Sequence, residues 1–493
     1  MKLIKNYLDL QKIRNNHVKA KIGLCHGVFD ILHVGHVNHF QEAKKKVDIL
    51  IVSITADKFV NKGPNKPYSS SENRAKILTS INHIDYVFIN NSHSAEKVIK
   101  NLSPNFYFKG KDYISKDITG NLKLELKELK KNKGKIFYTK TKIFSSGKIF
   151  NQKNLFGFDK KKIDYLKKLS LNNNFLKISN YIDKINDLEI NLIGEPIIDE
   201  YIYSNVVGLT SKDPSISVLK KDAERLPGGV LAIAKSLSKF VKKVRLFTYG
   251  DKRKLKKFIF EHNNIELVNL DAKLIIQEKS RIINSNRFEK LLQITNIFEN
   301  KNIDHKNIIN VLKKKKLSNL VIADFGIDLF NNKLLDYINN LKIKKYINVQ
   351  TNSLNYGKNL FSKYKNFSYM SLDKNEYVLG LGKFDLDDND IKYLKKIYKQ
   401  RPFSVTLGKN GSVFYTKKGK EFCPVFVDKI IDTTGCGDAF FVITTLLNII
   451  NADEKFIPFL GNCYAGLHSQ YVGNKKIPTK NELINYVRSL LNY

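Results

Sequence analysis

Cysteine is scarce in this chain. Its 493 residues hold four, Cys25, Cys423, Cys436 and Cys463, with no C-x-x-C spacing. That excludes a dense disulfide framework and points to a reducing, cytoplasmic compartment. No apolar run approaches the length of a membrane helix. The first residues, MKLIKNYLDLQKIRNNHVKA, are charged throughout and lack the apolar core of a signal peptide. Arginine is sparse, and the formal charge of +38 comes mostly from lysines spread along the whole chain. Nucleic-acid binders tend to concentrate charge and to use Arg for bidentate contacts. The charge therefore reads as a Lys-rich surface that also favours phosphorylated substrates. Neither a membrane nor a nucleic acid is the expected partner.

What is present is a globular composition, 42% hydrophobic and 11% aromatic, in a chain long enough for two or three domains. Apolar strands are predicted at 21–25, 48–54, 85–89 and 105–110. Helices are predicted over 34–46, over 69–81 with Ser69 and Glu72 as a capping-box pair, and around 94–102. This alternation predicts an α/β domain with a parallel sheet over residues 1–150. Residues 151–187 are rich in Lys and Asn with helical periodicity and read as a connector. A second α/β domain is predicted over 188–493. No short-period repeat interrupts the pattern.

The densest local feature is HGVFDILHVGHVNHF, residues 26–40, which holds four of the ten histidines. A strand leads into G-x-F-D, and H-x-G-H then opens a helix. Gly27 and Gly35 let backbone approach a ligand, and a helix starting near residue 34 aims its N–H groups and dipole at an anion. His33 and His36 thus stand beside a phosphate site at the carboxyl end of a strand. His33, His36 and His39, at steps of three, could share a face and hold zinc. The glycine-rich setting and the missing Cys or acidic companion argue against that. His26 and His39 read as structural.

GVFDILHVGH, followed by VSITADKFVNKGPNKPYSSSENR, YFKGKDY and IFSSGKI, resembles the nucleotidyltransferase superfamily of cytidylyltransferases and heptose-phosphate adenylyltransferases. The likeness covers residue 21 to about 150. It implies a Rossmann-like fold in which a phosphate oxygen attacks the α-phosphorus of ATP or CTP and pyrophosphate leaves. By this resemblance His33 and His36 stabilise the transition state, Lys62 neutralises triphosphate charge and Arg74 holds a phosphate. Gly27 and Phe29 belong to the nucleotide site, and Asp30 and Lys109 to the substrate site. Ser145 and Ser146 would open a helix that grips the β- and γ-phosphates, although Ser-Ser-Gly-Lys-Ile departs from the family's usual Ser-Thr or Thr-Thr. Class I aminoacyl-tRNA synthetases share H-x-G-H, but no K-M-S-K-S-like loop is present.

In the second half DTTGCGDAFF, residues 432–441, places small residues at the start of an apolar helix. Such a turn exposes N–H groups to an anion, and Asp438 at its mouth could take a proton from an attacking hydroxyl. A plain glycine-rich turn with a carboxylate in the first helical turn would look the same. NLIGEPIIDEYIY, LPGGVLAIAKSL and FSVTLGKNGSVFY accompany it, and together they resemble the ribokinase-like (PfkB) sugar kinases over 189–493. The resemblance implies a ribokinase-like α/β fold with Asp438 as base and Gly435, Cys436 and Gly437 as an anion hole. It places Asp199, Gly228 and Gly229 on the sugar, and Gly408 and Gly411 on the nucleotide. Asp373 and Glu376 stand for the family's Asn-x-x-Glu, which organises Mg²⁺ indirectly. Ala232 replaces the Asn of G-G-x-x-N, so the sugar contact that Asn makes is missing.

A kinase joined to a nucleotidyltransferase is similar to the bifunctional heptose-phosphate kinase/adenylyltransferase family, which carries the kinase first. The expectation is a cytoplasmic enzyme of nucleotide-sugar synthesis for surface polysaccharide. It would use Mg²⁺, ATP in the kinase half and ATP or CTP in the other, on a sugar phosphate, with a homodimer possible. Two alternatives stay open: a cytidylyltransferase for an alcohol or polyol phosphate with an unrelated or weakened kinase domain, and a non-catalytic nucleic-acid-binding or regulatory protein.

Overall fold

The computed structural model describes residues 2–4, 6–61, 66–110, 121–139, 158–171, 174–296, 300, 303–352, 355–382, 401–427 and 429–491. Its contacts divide the chain into two compact units, Met1–Phe175 with Asn481–Tyr493, and Leu176–Lys480. The stretch read as a connector holds helices Lys160–Ser170 and Asn174–Ile185. The division falls at the start of the second of these. No helix among the described residues is long and apolar enough to cross a membrane.

The first unit contains six strands: β1 (Leu3–Ile4), β2 (Ile22–Gly27), β3 (Ile49–Thr55), β4 (Tyr86–Asn90), β5 (Phe106–Gly110) and β6 (Lys135–Thr139). They lie in the order β1-β4-β3-β2-β5-β6, and every pairing is parallel. Because the strands are apolar on both faces, successive residues feed two cores. Cys25, Val52, Ile54 and Phe108 pack with Phe40 and Leu78. Leu24, Ile51 and Tyr107 pack with Leu10, Ile99 and Leu129. The chain leaves β2 toward β3 on one side and reaches β5 on the other. That makes the carboxyl end of β2 the switch point where open α/β sheets take ligands.

One helix start differs from the reading of the sequence. The helix is Ser71–Thr79, and its N-cap is Ser70, whose hydroxyl accepts from Asn73 N. Ser69 lies one residue further out, its N–H donated to Asp30 Oδ1 at 3.0 Å and its carbonyl accepting from Arg74 Nε. With the cap displaced by one, Glu72 falls in the first turn and no capping box forms.

Lys109 on β5 is buried and pairs with buried Glu125 at 3.4 Å. Glu125 also accepts from Ala95 N and from the Tyr107 hydroxyl. Burial works to raise the Glu125 pKa, yet Lys109, His26 and these hydrogen bonds outweigh it and the carboxyl titrates below its ordinary value.

The second unit has a nine-stranded sheet in the order β11-β10-β7-β14-β15-β16-β17-β18-β19. Its strands are β7 (Glu189–Gly194), β10 (Lys243–Thr248), β11 (Ile265–Asn269), β14 (Asn319–Asp324), β15 (Lys344–Val349), β16 (Tyr369–Asp373), β17 (Phe403–Thr406), β18 (Ser412–Thr416) and β19 (Gly419–Cys423). The last two pair antiparallel and the rest parallel. A separate four-stranded sheet, β13-β12-β8-β9, is built from β8 (Pro196–Leu209), β9 (Ile216–Gly229), β12 (Gln277–Asn284) and β13 (Glu289–Asn296). Helices Cys436–Ile449 and Phe456–His468 are apolar almost all round and accordingly buried. Helix Lys480–Leu491 follows, and the contacts assign it from Asn481 to the first unit.

Removing one partner of the Lys109–Glu125 pair should leave a buried charge unpaired. Lys109→Met should destabilise the first unit by about 3–5 kcal/mol, and the double change Lys109→Met/Glu125→Leu should restore most of that loss. Urea unfolding of the three proteins checks it; equal stability of the single variant and wild type would refute the pairing.

Candidate active sites

In the first unit β2 ends at Gly27, and the helix Val34–Lys44 starts seven residues later. His33 is its N-cap, extended, with Nδ1 accepting from Gly35 N at 3.1 Å. An accepting Nδ1 puts the ring proton on Nε2, and burial holds the His33 pKa below its ordinary value. The ring is then neutral near pH 7 and donates from Nε2. The His36 ring stacks on it with centroids 3.8 Å apart. Phe29 props His36 from below, edge to face at 5.3 Å. To reach there Phe29 adopts φ +48°, the left-handed region that a bulky side chain rarely enters and that clusters at functional sites.

The structure thus brings Gly27, Phe29, His33 and His36 together, with Phe29 supporting a histidine. Asp30 faces its own loop, since Oδ1 accepts from Tyr68 N and Ser69 N. Arg74, expected to hold a phosphate, is engaged by the protein itself. Its guanidinium is fully buried and donates to the carbonyls of Ser69, Val28 and Thr55 and to Asp57 Oδ1. In that state it clamps the three segments that frame the site. Lys109, expected on the substrate, is the buried partner of Glu125. His26 bonds Ser53 and His39 bonds Thr139, and burial lowers both to about 4. Lys62, Ser145 and Ser146 lie outside the described residues.

In the second unit Gly435, at φ +81°, is the N-cap of the helix Cys436–Ile449. A Cβ there would stand 2.7 Å from Asn474 Oδ1 and 2.8 Å from His468 Nε2, so only glycine closes this turn. The Cys436 N–H is turned back to Thr433 O at 3.1 Å. That leaves Gly437 and Asp438 to supply the outward N–H groups of the first turn. Burial pushes the Cys436 thiol up to about 12, so it is no thiolate. Asp438 is held by Gln350 Nε2 at 2.5 Å. Burial raises its carboxyl to about 7, helped by Asp199 and opposed by Gln350 and Lys279. A carboxyl poised there suits a general base.

Asp199 on β8 accepts from Arg281 on β12 at 2.6 Å. Gly228 is required beside it, because a Cβ would collide with Asp199 Oδ2. Gly229 follows and precedes helix Val230–Ser238, in which Ala232 is buried. Gly408 and Gly411 bound the turn between β17 and β18.

Asp373 and Glu376, expected to organise Mg²⁺ indirectly, also have a local cause for their spacing. They form a complete capping box at the helix Lys374–Leu381. Glu376 accepts from Asp373 N and Thr351 N, and burial raises its pKa well above the ordinary value. Among the described residues no cluster of three or more His, Cys, Asp or Glu could hold a metal.

Several residues at this site escaped the sequence reading. Gln350 follows β15, and nothing in its local sequence marks it. Lys290 on β13 binds Asp432 Oδ1 and Thr434 Oγ1, both at 2.7 Å. Asp432 also takes the Tyr201 hydroxyl and Gly473 N, so it fixes the turn from several sides. Glu195, just after β7, accepts from Phe325 N and Ile327 N. Burial and neighbouring Asp324 push its carboxyl up to about 8. The G-E-P of the first strand end was visible, but its partners over a hundred residues away were not.

Comparison with known proteins assigns these geometries to families. Residues 24–153 match the cytidylyltransferase-like family, and residues 367–442 match the pfkB family of carbohydrate kinases. The chain thus carries a stretch that matches the cytidylyltransferase-like family and, after it, one that matches the pfkB family. The bifunctional protein HldE of Aliarcobacter butzleri is 37% identical over 137 residues, which is 27% of this chain and 29% of that one. HldE of Helicobacter pylori strain Shi470 is 39% identical over 118 residues, 23% of this chain and 26% of that one. The match therefore spans under a third of these relatives. Phosphofructokinase-2 from Escherichia coli in complex with potassium superposes with a TM-score of 0.51 at 14% identity, covering 62% of this chain and 99% of the other. Its complex with substrates and products gives 0.50 at 14% identity, with the same 62% and 99% coverage. That likeness shows the fold of the pfkB domain, a ribokinase-like α/β architecture, and the first domain has the parallel α/β sheet expected of it.

The Gln350 contact favours the ionised form of Asp438, so its loss should raise the carboxyl pKa further. Gln350→Met should move the acid limb of the phosphorylation rate up from near pH 7 by about one pH unit, the worth of a charge-assisted hydrogen bond of ~1.5 kcal/mol. A pH profile of kcat/KM checks it; an unmoved or lowered limb would contradict the assignment.

Proposed function

We propose that this chain is a bifunctional transferase of nucleotide-sugar synthesis. The pfkB domain phosphorylates a sugar or sugar phosphate with ATP. The cytidylyltransferase-like domain couples a sugar phosphate to a nucleotide from ATP or CTP and releases pyrophosphate. The observation that carries this reading is the pair of sites in one chain. One has two stacked imidazoles at a helix start, and the other has a carboxyl poised near 7 in the first turn of a buried helix. The bifunctional name of the relatives supports the pairing.

In the phosphorylation step a sugar hydroxyl oxygen attacks the γ-phosphorus, its proton passes to Asp438, and ADP leaves. The N–H groups of Gly437 and Asp438 face the transferring phosphoryl. In the nucleotidyl step a phosphate oxygen of the sugar attacks the α-phosphorus and the bond to pyrophosphate breaks. His33 Nε2–H and the stacked His36 donate to oxygens that gain charge as the phosphorus becomes five-coordinate. Mg²⁺, when bound on the nucleotide, screens the triphosphate charge. Asp373 and Glu376, joined in the capping box, would organise the ion indirectly.

The cytoplasm, where both triphosphates are made, is the proposed compartment, and surface polysaccharide the proposed destination of the product. The exposed apolar residues Val207, Leu209 and Ile216 on the far end of β8 and β9 would suit a homodimer. The cytidylyltransferase-like match favours a second reading, in which CTP and an alcohol phosphate are the substrates of the first domain.

Two variants separate the activities. His36→Ala should lower pyrophosphate release by roughly 10²–10³-fold and leave ADP formation intact. Asp438→Asn should lower ADP formation by roughly 10²–10⁴-fold and leave pyrophosphate release intact. A panel of sugar phosphates and alcohol phosphates with ATP or CTP supplies the assay. Loss of both activities in either variant would defeat the two-site reading.

A further inference from the structure

The edge of the nine-stranded sheet opposite Asp438 carries a second concavity. It is a cavity of about 370 Å³, within the range of small-ligand sites. Its walls are the amino-terminal residues of β7 and β10 and the segment that leads into β14. Five cations line it, Lys243, Arg245, Lys314, Lys315 and Lys316, against Glu189 as the one lining carboxylate.

The wall is partly fixed by Glu266 on β11. Its carboxylate holds Lys243 at 2.6 Å, Arg245 at 3.2 Å and Lys315 at 3.5 Å. Arg245 is further oriented by Asn191 Oδ1 at 3.0 Å. The Lys243 hydrogen bond, which outweighs some burial, keeps the Glu266 carboxyl below its ordinary range. One carboxylate cannot neutralise three cations, and Lys314 and Lys316 have no ion pair among the described residues. Lysines at 313–316 would be explained alone by the carboxyl end of the helix His305–Lys313. Lys243 and Arg245 come from a different strand and have no such cause. Cations from separate parts of the chain therefore converge on a concave surface with uncompensated charge, which focuses an attractive potential on an anion. Arg245, held in plane, presents a fork suited to phosphate oxygens.

We propose that this cavity binds a condensed phosphate chain, either free or as the tail of a nucleotide. It is distinct from the phosphoryl-transfer site, because parallel strands of six residues hold their two ends about 20 Å apart. The proposal stands apart from the assignment of the two reactions and does not need either to be right.

Amide hydrogen exchange of the full chain, with and without 1 mM sodium tripolyphosphate, tests it. Exchange in 243–248 and 312–320 should slow several-fold, and ATP at the same concentration serves as the second arm. Protection by both marks a nucleotide tail as a sufficient source; protection by tripolyphosphate alone marks a free polyphosphate; either supports the site. Lys314→Gln/Lys316→Gln, which touches no ion pair, should weaken binding about ten-fold while kinase activity stays unchanged. Four results would overturn it: no protection, equal protection in the double variant, equal protection by NaCl at matched ionic strength, or protection by ATP or an oligonucleotide but not by tripolyphosphate.

Discussion

Parallel strand pairing is the constraint from which the rest of both units follows. A parallel neighbour can be reached only by a crossover, usually a helix, so the parallel strands of a sheet end at one edge and the following helices start there. Strand-end side chains and unpaired helix N–H groups are thereby delivered to the same line. β2 ends at Gly27 and His33 caps the next helix. β7, β14, β15 and β16 deliver Glu195, Asp324, Gln350 and Asp373 to one edge of the second sheet. The opposite edge receives strand starts and helix ends, which is why its lysine-lined cavity is a separate matter from catalysis.

Burial sets the proton chemistry at that edge, and the partner of each carboxylate decides how. Three aspartates surround the proposed phosphoryl-transfer site. Asp199 has a guanidinium at 2.6 Å and Asp432 an ammonium at 2.7 Å. Asp438 has the neutral amide of Gln350. Burial works to raise both Asp432 and Asp438, but Lys290 and the backbone N–H groups at Asp432 outweigh it, and Asp432 titrates below its ordinary value. Asp438, given a dipole where its neighbours have a charge, is the one left near 7. Environments that push apart the pKa values of similar groups are what assign a base among them. The same logic runs in reverse for His33, which burial keeps neutral so that it donates a hydrogen bond without carrying a charge.

Local periodicity made the strands and helices of the first unit legible, because each apolar run is short and bounded by turn residues. DTTGCGDAFF was legible for a similar reason: Gly435 needs a positive φ and Asp438 stands three residues further on. What the sequence hid was long-range pairing. β8 joins β12 in parallel across some eighty residues, and Arg281 meets Asp199 only through that register. Gln350 and Lys290 are ordinary polar residues until the fold places them. One residue type can also serve two ends, and the sequence does not separate them. Arg74 suggested a phosphate and is a buried clamp. Asp373 and Glu376 suggested metal organisation and form a helix cap.

Ala232 bears on what the kinase site can accept. It is buried in the first turns of Val230–Ser238, so no polar group projects from that position. A site that loses one hydrogen-bond donor to its substrate discriminates less strongly for that substrate, by about 1–3 kcal/mol. The machinery for the chemical step is nevertheless in place: the poised carboxyl, the outward N–H groups and the Lys290-braced turn. With those groups retained and only the contact at position 232 absent, an altered sugar is the reading we propose over a lost kinase.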